Sequence, residues 1–369
     1  MSNSEQNTDQ NQDKQVVYPG LLNLGNTCFI NAIVQCLLYS TPLNKIIDRG
    51  LINAHFKTVY EDIPNINILH EWISLRNQLQ NITTTSSNED VISPLSFINA
   101  IKKIAVCANS DIQDNGQHDV SELMDLLIEH FHKSICRPIV CETISHNKSY
   151  NGGEWVNDIA RDAVALIFSK EYSELWPIFN GVQLSNRRKM DSHTIITTAS
   201  HYNMLSIPIV EQKEQDTPIS LVDCLTQYFA PETISGVQSD INPDNKVDCL
   251  NQVFLWNLPE IIIICLQHGD TTCSQRNETV VSCTAKLNML PYLYRQSPES
   301  VPYTYELYAM CNHYGRMNFG HYTARIKLPN GIWLHCNDEK IHVKQFPDVG
   351  IDNYNIVNPY CLFYRPIKS

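Results

Sequence analysis

The hydrophobic period of this chain changes partway along, and that change limits the folds open to it. In the first part the apolar positions recur at helical spacing: Ile30, Ile33, Val34, Leu37 and Leu38 share one face, and Val120, Leu123, Met124, Leu127, Ile128 and Phe131 form a second stripe. After about residue 200 short runs rich in aromatic and β-branched residues replace them, among them "MLSIPIV", "VFLWNL", "IIIICLQ", "YELYAM", "HYTARIKL", "IWLHC" and "YCLFYR". Such runs read as strands, and the Asn-Gly of "KLPNGIW" marks a hairpin between two of them. Thr41-Pro42 is expected to stop the first helix. Residues 83–90, "TTTSSNED", read as a loop, after which Ser93 is the expected N-cap and Pro94 the first helical residue of a third helical segment. Helices first and strands later predict an α+β fold rather than alternating α/β.

Composition narrows the class. A chain of 369 residues with 43% apolar and 18% charged residues is long and apolar enough to bury a large core. Residues 1–17 are the exception, a polar tail with nothing to bury and no apolar stretch of the kind a signal peptide needs. The net charge is −12 and no block of Lys and Arg appears, which argues against nucleic acid as a ligand. No apolar run is long enough to span a membrane. Thirteen cysteines without regular pairing point to reduced thiols, and so to a cytoplasmic or nuclear address.

One cysteine stands apart. In "GLLNLGNTCFINAIVQCLL", residues 20–38, Cys28 opens the first apolar stripe, behind a polar turn. The positive end of a helix dipole favours thiolate there, and backbone N–H groups at that turn, with Asn23 upstream, could face a developing oxyanion. A cysteine beside an apolar stripe is more often a buried structural residue, so reactivity needs a base and a group to orient it. "CNHYGRMNFGHYTARIKLPNGIWLHCNDEKIHV" supplies both: His321 begins one strand, and the hairpin returns Asn337 and Asp338 to its neighbourhood. This is how a Cys-His-Asn/Asp arrangement is assembled from remote pieces of a chain.

With these residues in place, the chain resembles the ubiquitin-specific proteases. The stretch around Cys28 is similar to their Cys box and that around His321 to their His box. "GQHDVSELMDLL", "WPIFNGVQLS", "MLSIPIV", "CLTQYFAPETISG" and "NPYCLFYRP" resemble further family segments in the same order, so the likeness runs from about Tyr18 to Pro366. It implies a papain-like fold in a single catalytic domain over residues 18–367, with a helical thumb (about 18–150), fingers (about 170–260) and a palm (about 261–367). It implies Cys28 as nucleophile, His321 as general base and then acid, Asn337 as the residue orienting the histidine with Asp338 as its helper, and Asn23 as an oxyanion donor. Asp119 and Glu122 would grip the basic C-terminal tail of ubiquitin. His313 would line the same channel, and Gly320 would let the glycines of the tail pass close to the backbone. The expected partners are ubiquitin and ubiquitinated proteins, the expected state a monomer, and no cofactor is implied.

Two departures from the family pattern stand out. The Cys-x-x-Cys pairs that hold zinc in the fingers of many members are missing: "LSNRRKMDSHT" has no cysteine, and near "NKVDCLNQ" Cys249 stands alone. No metal is therefore expected, and the fingers must be held by packing and hydrogen bonds. The family's basic-aromatic strand end is replaced by "IIIICLQHGD". The alternatives left open are a ubiquitin-binding protein that keeps the fold as an interaction module, and a protease for another ubiquitin-like modifier.

Overall fold

The computed structural model describes residues 18–55, 67–82, 91–141, 154–192, 195–210, 217–268, 280–294, 303–316, 319–344, 353–357 and 359–367. The expected tail, 1–17, and the loop at 83–90 lie outside them. The first helix, α1, spans Cys28–Leu38 and is buried along its whole length. An all-round buried helix must be enclosed rather than laid on a surface. It stops at Leu38, short of the expected Thr41-Pro42, and those two residues instead begin α2, Thr41–Asp48, because a proline lacking its N–H costs nothing in a first helical turn. Helix α3 covers Ile68–Ile82 and α4 Leu95–Cys107. The last begins one residue later than expected: Pro94 is its N-cap, with its carbonyl accepting from the Ile98 N–H at 2.9 Å, and Ser93 lies outside. Helix α5, Val120–Lys133, buries the stripe read from the sequence. Helices α6, Glu154–Phe168, α7, Trp176–Phe179, and α8, Leu221–Tyr228, complete the helical part.

The largest sheet has eight strands. Seven run in the order Lys340–Lys344, Trp333–Asn337, Phe319–Lys327, Thr304–Arg316, Pro359–Pro366, Ile262–Gln267, Leu205–Pro208, and Lys286–Asn288 pairs with Thr304–Arg316 off that path. Side chains alternate between its faces. Ile263, Cys265, Tyr308, Cys311, Ala324 and Phe363 enter one core with α1, α3, α4 and α5. Ile262, Ile264, Leu266, Tyr305, Leu307 and Leu362 enter a second core with α8. That double burial explains the uninterrupted apolar run at 261–266. Leu205–Pro208 joins this sheet although it falls inside the stretch expected to form the fingers.

A separate four-stranded sheet orders Ile195–Tyr202, Gly181–Lys189, Lys246–Asn257 and Glu232–Gln238. Cys249 is the one cysteine in these strands and is buried, its Sγ 3.7 Å from the Leu250 carbonyl. The strands are cross-linked instead by polar side chains: Thr197 Oγ1 donates to Asn186 Oδ1 at 2.8 Å, Ser185 Oγ to Asn251 Oδ1 at 2.8 Å, and Asn251 Nδ2 to Glu232 Oε1 at 2.7 Å. Every cysteine among the described residues is a free thiol, and no described helix is long and apolar enough to cross a membrane.

Candidate active site

The turn before α1 is built by its own polar residues. Gly25 and Asn26 are both left-handed, with φ of 94° and 53°, which brings the chain round sharply ahead of Cys28. Asn23 Oδ1 accepts from the N–H of Gly25 at 3.1 Å and of Thr27 at 3.2 Å. Thr27 occupies the N-cap position but gives α1 no side-chain cap; its Oγ1 accepts from the Leu24 N–H at 2.9 Å instead. No side-chain oxygen caps the first turn of α1, so the N–H groups there and the positive helix end are left for a carbonyl oxygen arriving at Cys28.

His321 reaches this point from the Phe319–Lys327 strand. The hairpin pairs Ala324 with Cys336, which leaves Asn337 opposite Thr323, two residues along from the histidine. His321 Nε2 lies 2.7 Å from Asn337 Oδ1, and with Nε2 so taken its Nδ1 is left for the thiol of Cys28. The imidazole is raised to about 9, chiefly by its hydrogen bond with Cys28; burial opposes this, and Asn337 and the nearby Asp338 charge add to it. The structure thus brings Cys28, His321 and Asn337 together.

Asp338 does something else. Its carboxylate is 4.0 Å from His321 Nε2, while Oδ1 accepts from Asn31 Nδ2 at 2.8 Å and Oδ2 from Asn23 Nδ2 at 2.9 Å. Its carbonyl accepts from the Leu21 N–H at 3.0 Å, and the neighbouring Glu339 Oε1 accepts from the Asn23 N–H at 2.9 Å. This left-handed turn (φ 48° at Asp338) thus fastens the Asn337 strand to the chain leading into Cys28. Asn23 spends one amide hydrogen and its carbonyl oxygen in that lattice, and an amide carries two hydrogens.

The remaining expected residues are held by contacts of their own. Asp119 caps α5: Oδ1 accepts from the Ser121 N–H at 2.7 Å, and Oδ2 accepts from the Tyr360 hydroxyl. Glu122 is exposed, and its Oε1 accepts from Ser110 Oγ at 2.7 Å. His313 is buried beside Tyr322, ring centroids 4.3 Å apart. Gly320 is glycine for a local reason, since a Cβ there would stand 1.9 Å from His313 Nε2. Three contributors were not singled out from sequence. Gln117 Oε1 accepts from the Gly320 N–H at 2.6 Å, Tyr360 holds Asp119, and Asn31 holds Asp338. Gln117 lies within "GQHD", the same segment that supplied Asp119, so a signal was present; for Tyr360 and Asn31 only proximity in space marks them.

A thiol at a helix start, a histidine on a facing strand and an asparagine from the next strand define a papain-like cysteine hydrolase site. The chain belongs to the ubiquitin carboxyl-terminal hydrolase family, whose model it matches over residues 19–364. It is 24% identical over 374 residues to ubiquitin carboxyl-terminal hydrolase 4 of Saccharomyces cerevisiae (strain RM11-1a), a match covering 94% of this chain and 39% of that protein. To ubiquitin carboxyl-terminal hydrolase 21 of Mus musculus it is 24% identical over 366 residues, covering 95% and 62%. The chain therefore spans less than two thirds of the length of these relatives. Among solved structures, the SAGA Ubp8/Sgf11/Sus1/Sgf73 DUB module bound to ubiquitin aldehyde superposes with a TM-score of 0.67 at 20% identity, over 95% of this chain and 70% of that one. A second structure of the SAGA Ubp8/Sgf11/Sus1/Sgf73 DUB module gives 0.60 at 20% identity, over 95% and 68%. The fold is accordingly α+β, of the ubiquitin-specific protease type.

Proposed function

We propose that this chain is a deubiquitinating cysteine protease, hydrolysing the peptide or isopeptide bond after the C-terminal glycine of ubiquitin. The observation that carries the reading is the Cys28–His321–Asn337 constellation, set in the fold of this family. In the first step the Cys28 thiolate attacks the glycine carbonyl and the oxygen takes up negative charge, received by the uncapped first-turn amides of α1 and by the second amide hydrogen of Asn23. His321, held as imidazolium, gives its proton to the departing amine, and the C–N bond breaks to leave a thioester. Neutral His321 then draws a proton from water, which attacks the thioester; the Cys28 sulfur leaves as thiolate and ubiquitin is released as a carboxylate. Asn337 keeps the imidazole in the plane both transfers need, and Asp338 fixes the strand that carries Asn337.

Asp119 and Glu122 offer negative charge to the basic tail of the substrate, and His313 with Gly320 shapes the channel its glycines would follow. In this reading α1–α5 correspond to the thumb, the four-stranded sheet to the fingers and the eight-stranded sheet to the palm. The free thiols among the described residues support a reducing compartment, cytoplasmic or nuclear.

The test is reaction with ubiquitin bearing an electrophile at its C-terminus, beside Cys28→Ala and a matched SUMO probe. A ubiquitin adduct that vanishes in Cys28→Ala supports the proposal. Binding without an adduct would make the chain a ubiquitin-binding module, and an adduct with SUMO alone would reassign the substrate.

A further inference from the structure

Away from Cys28, the end of α5 and the segment after α6 bring together an imidazole, a thiol and a carboxylate. One ligand atom each from His132, Cys136 and Glu171 lies within 4.8 Å of the others. We propose that these three side chains bind one divalent transition-metal ion, Zn2+ by their donor chemistry, and that the ion clips α5 to the chain following α6.

The geometry is close to that of a loaded site. Zinc bonds of about 2.0–2.3 Å in a tetrahedral array set neighbouring donor atoms roughly 3.3–3.8 Å apart. His132 Nε2 and Glu171 Oε2 are already 3.8 Å apart, and all three donor atoms lie within 4.8 Å of one another, about 1 Å wider at most than that array needs. The imidazole is pre-oriented: its Nδ1 lies 2.7 Å from Ser173 Oγ, which turns Nε2 toward Glu171, and the edge of Trp176 packs on the ring at 5.6 Å. A hydrogen bond on the far nitrogen is the usual support for a ligating histidine.

The backbone holds the other two donors in register. Arg137 and Tyr172 exchange both N–H···O bonds, at 2.9 and 2.7 Å, an antiparallel bridge that sets Cys136 opposite Ser173 and diagonal to Glu171 on the same face, although the two segments are far apart in sequence. Charge also balances, because thiolate and carboxylate together neutralise a dication. Two cations adjoining the cluster in sequence have carboxylates of their own: Arg137 pairs with Glu174 at 2.6 Å and Lys133 with Glu129 at 2.5 Å. A mixed sulfur, nitrogen and oxygen set selects zinc over magnesium or calcium, which take oxygen alone. His132 and Glu171 border a cleft of about 520 Å3, so a fourth position is open to water. Nothing in the argument draws on Cys28 or on ubiquitin.

The test uses the full chain carrying Cys28→Ala, stripped of metal and titrated with Co2+. One equivalent should produce a thiolate-to-cobalt charge-transfer band in the near ultraviolet, bleached by stoichiometric Zn2+. The band should be lost in Cys136→Ser, and affinity should fall at least about tenfold in Ser173→Ala. Glu171→Gln, on a side chain 56% exposed, leaves the fold intact and should weaken binding by a similar factor. Zn2+ should raise the melting temperature of the parent but not of Cys136→Ser. Absence of the band at one equivalent, or a band that survives Cys136→Ser and disappears instead in Cys249→Ser, overturns the proposal.

Discussion

Asn337→Ala removes the oxygen that holds His321 without touching the thiol, and its effect can be worked out in both size and pH. A hydrogen bond to an ionised group contributes about 1.5–3 kcal/mol. The His321 side chain is 41% exposed, so solvent screening favours the lower end, about 1.5 kcal/mol, or about a tenfold loss in kcat/KM. The pH profile should change as well. His321 is raised from 6.5 to about 9, so the imidazolium persists up to that pH and is lost above it. The wild-type profile of kcat/KM should therefore fall on its alkaline side near pH 9. Cys28 is the larger cause of the shift and Asn337 a smaller one, so in Asn337→Ala the alkaline limb moves to lower pH but stays above 6.5. Hydrolysis of a ubiquitin C-terminal fluorogenic amide between pH 5 and 10 measures both quantities. An unmoved alkaline limb with a rate loss under about threefold would show that Asn337 does not orient the histidine.

Asp338→Ala should act on stability more than on the limb, because its carboxylate is 4.0 Å from the imidazole but accepts from Asn23 and Asn31; urea denaturation should show a loss of about 2–3 kcal/mol. Gly320→Ala drives a Cβ into the His313 ring, an overpacking expected to cost about 1–3 kcal/mol, and His313→Ala added to it should recover part of that loss. Tyr360→Phe frees Asp119 of its hydroxyl donor and should raise KM for ubiquitin about fivefold, worth about 1 kcal/mol, with little change in kcat; a fall in kcat alone would show that Asp119 does not meet the substrate. The raised His321 contributes stability that is fully present below pH 6.5 and lost as pH rises through about 9, so the urea midpoint should decline over that window, and decline less in Cys28→Ala.

Much of the fold was legible because its signals are local. A stripe such as Val120 to Phe131 needs only the helical period, and "IIIICLQ" needs only a run of β-branched residues. Helix limits were less so. Thr41-Pro42 and Ser93-Pro94 signal a stop and a start, and each limit lies displaced in the fold because a proline suits both the residue before a helix and its first turn. The Cys28–His321–Asn337 set was legible too, since hairpin geometry follows from a turn and two strands.

What the sequence by itself determined, then, is the class of fold, the family and the side chains that meet at the candidate site, all carried by short-range pattern and motif order. Tertiary structure alone decided their neighbours. Asp119 became a cap held by Tyr360, Asp338 a clamp on Asn23 and Asn31, and Gly320 a clearance for the His313 ring. The juxtaposition of His132, Cys136 and Glu171 leaves no trace in the sequence for the same reason, since the Arg137–Tyr172 backbone bridge, not any spacing along the chain, brings the two segments onto one face. Contacts between segments that close long loops leave no period in the sequence, because their partners are chosen by packing after the elements have formed.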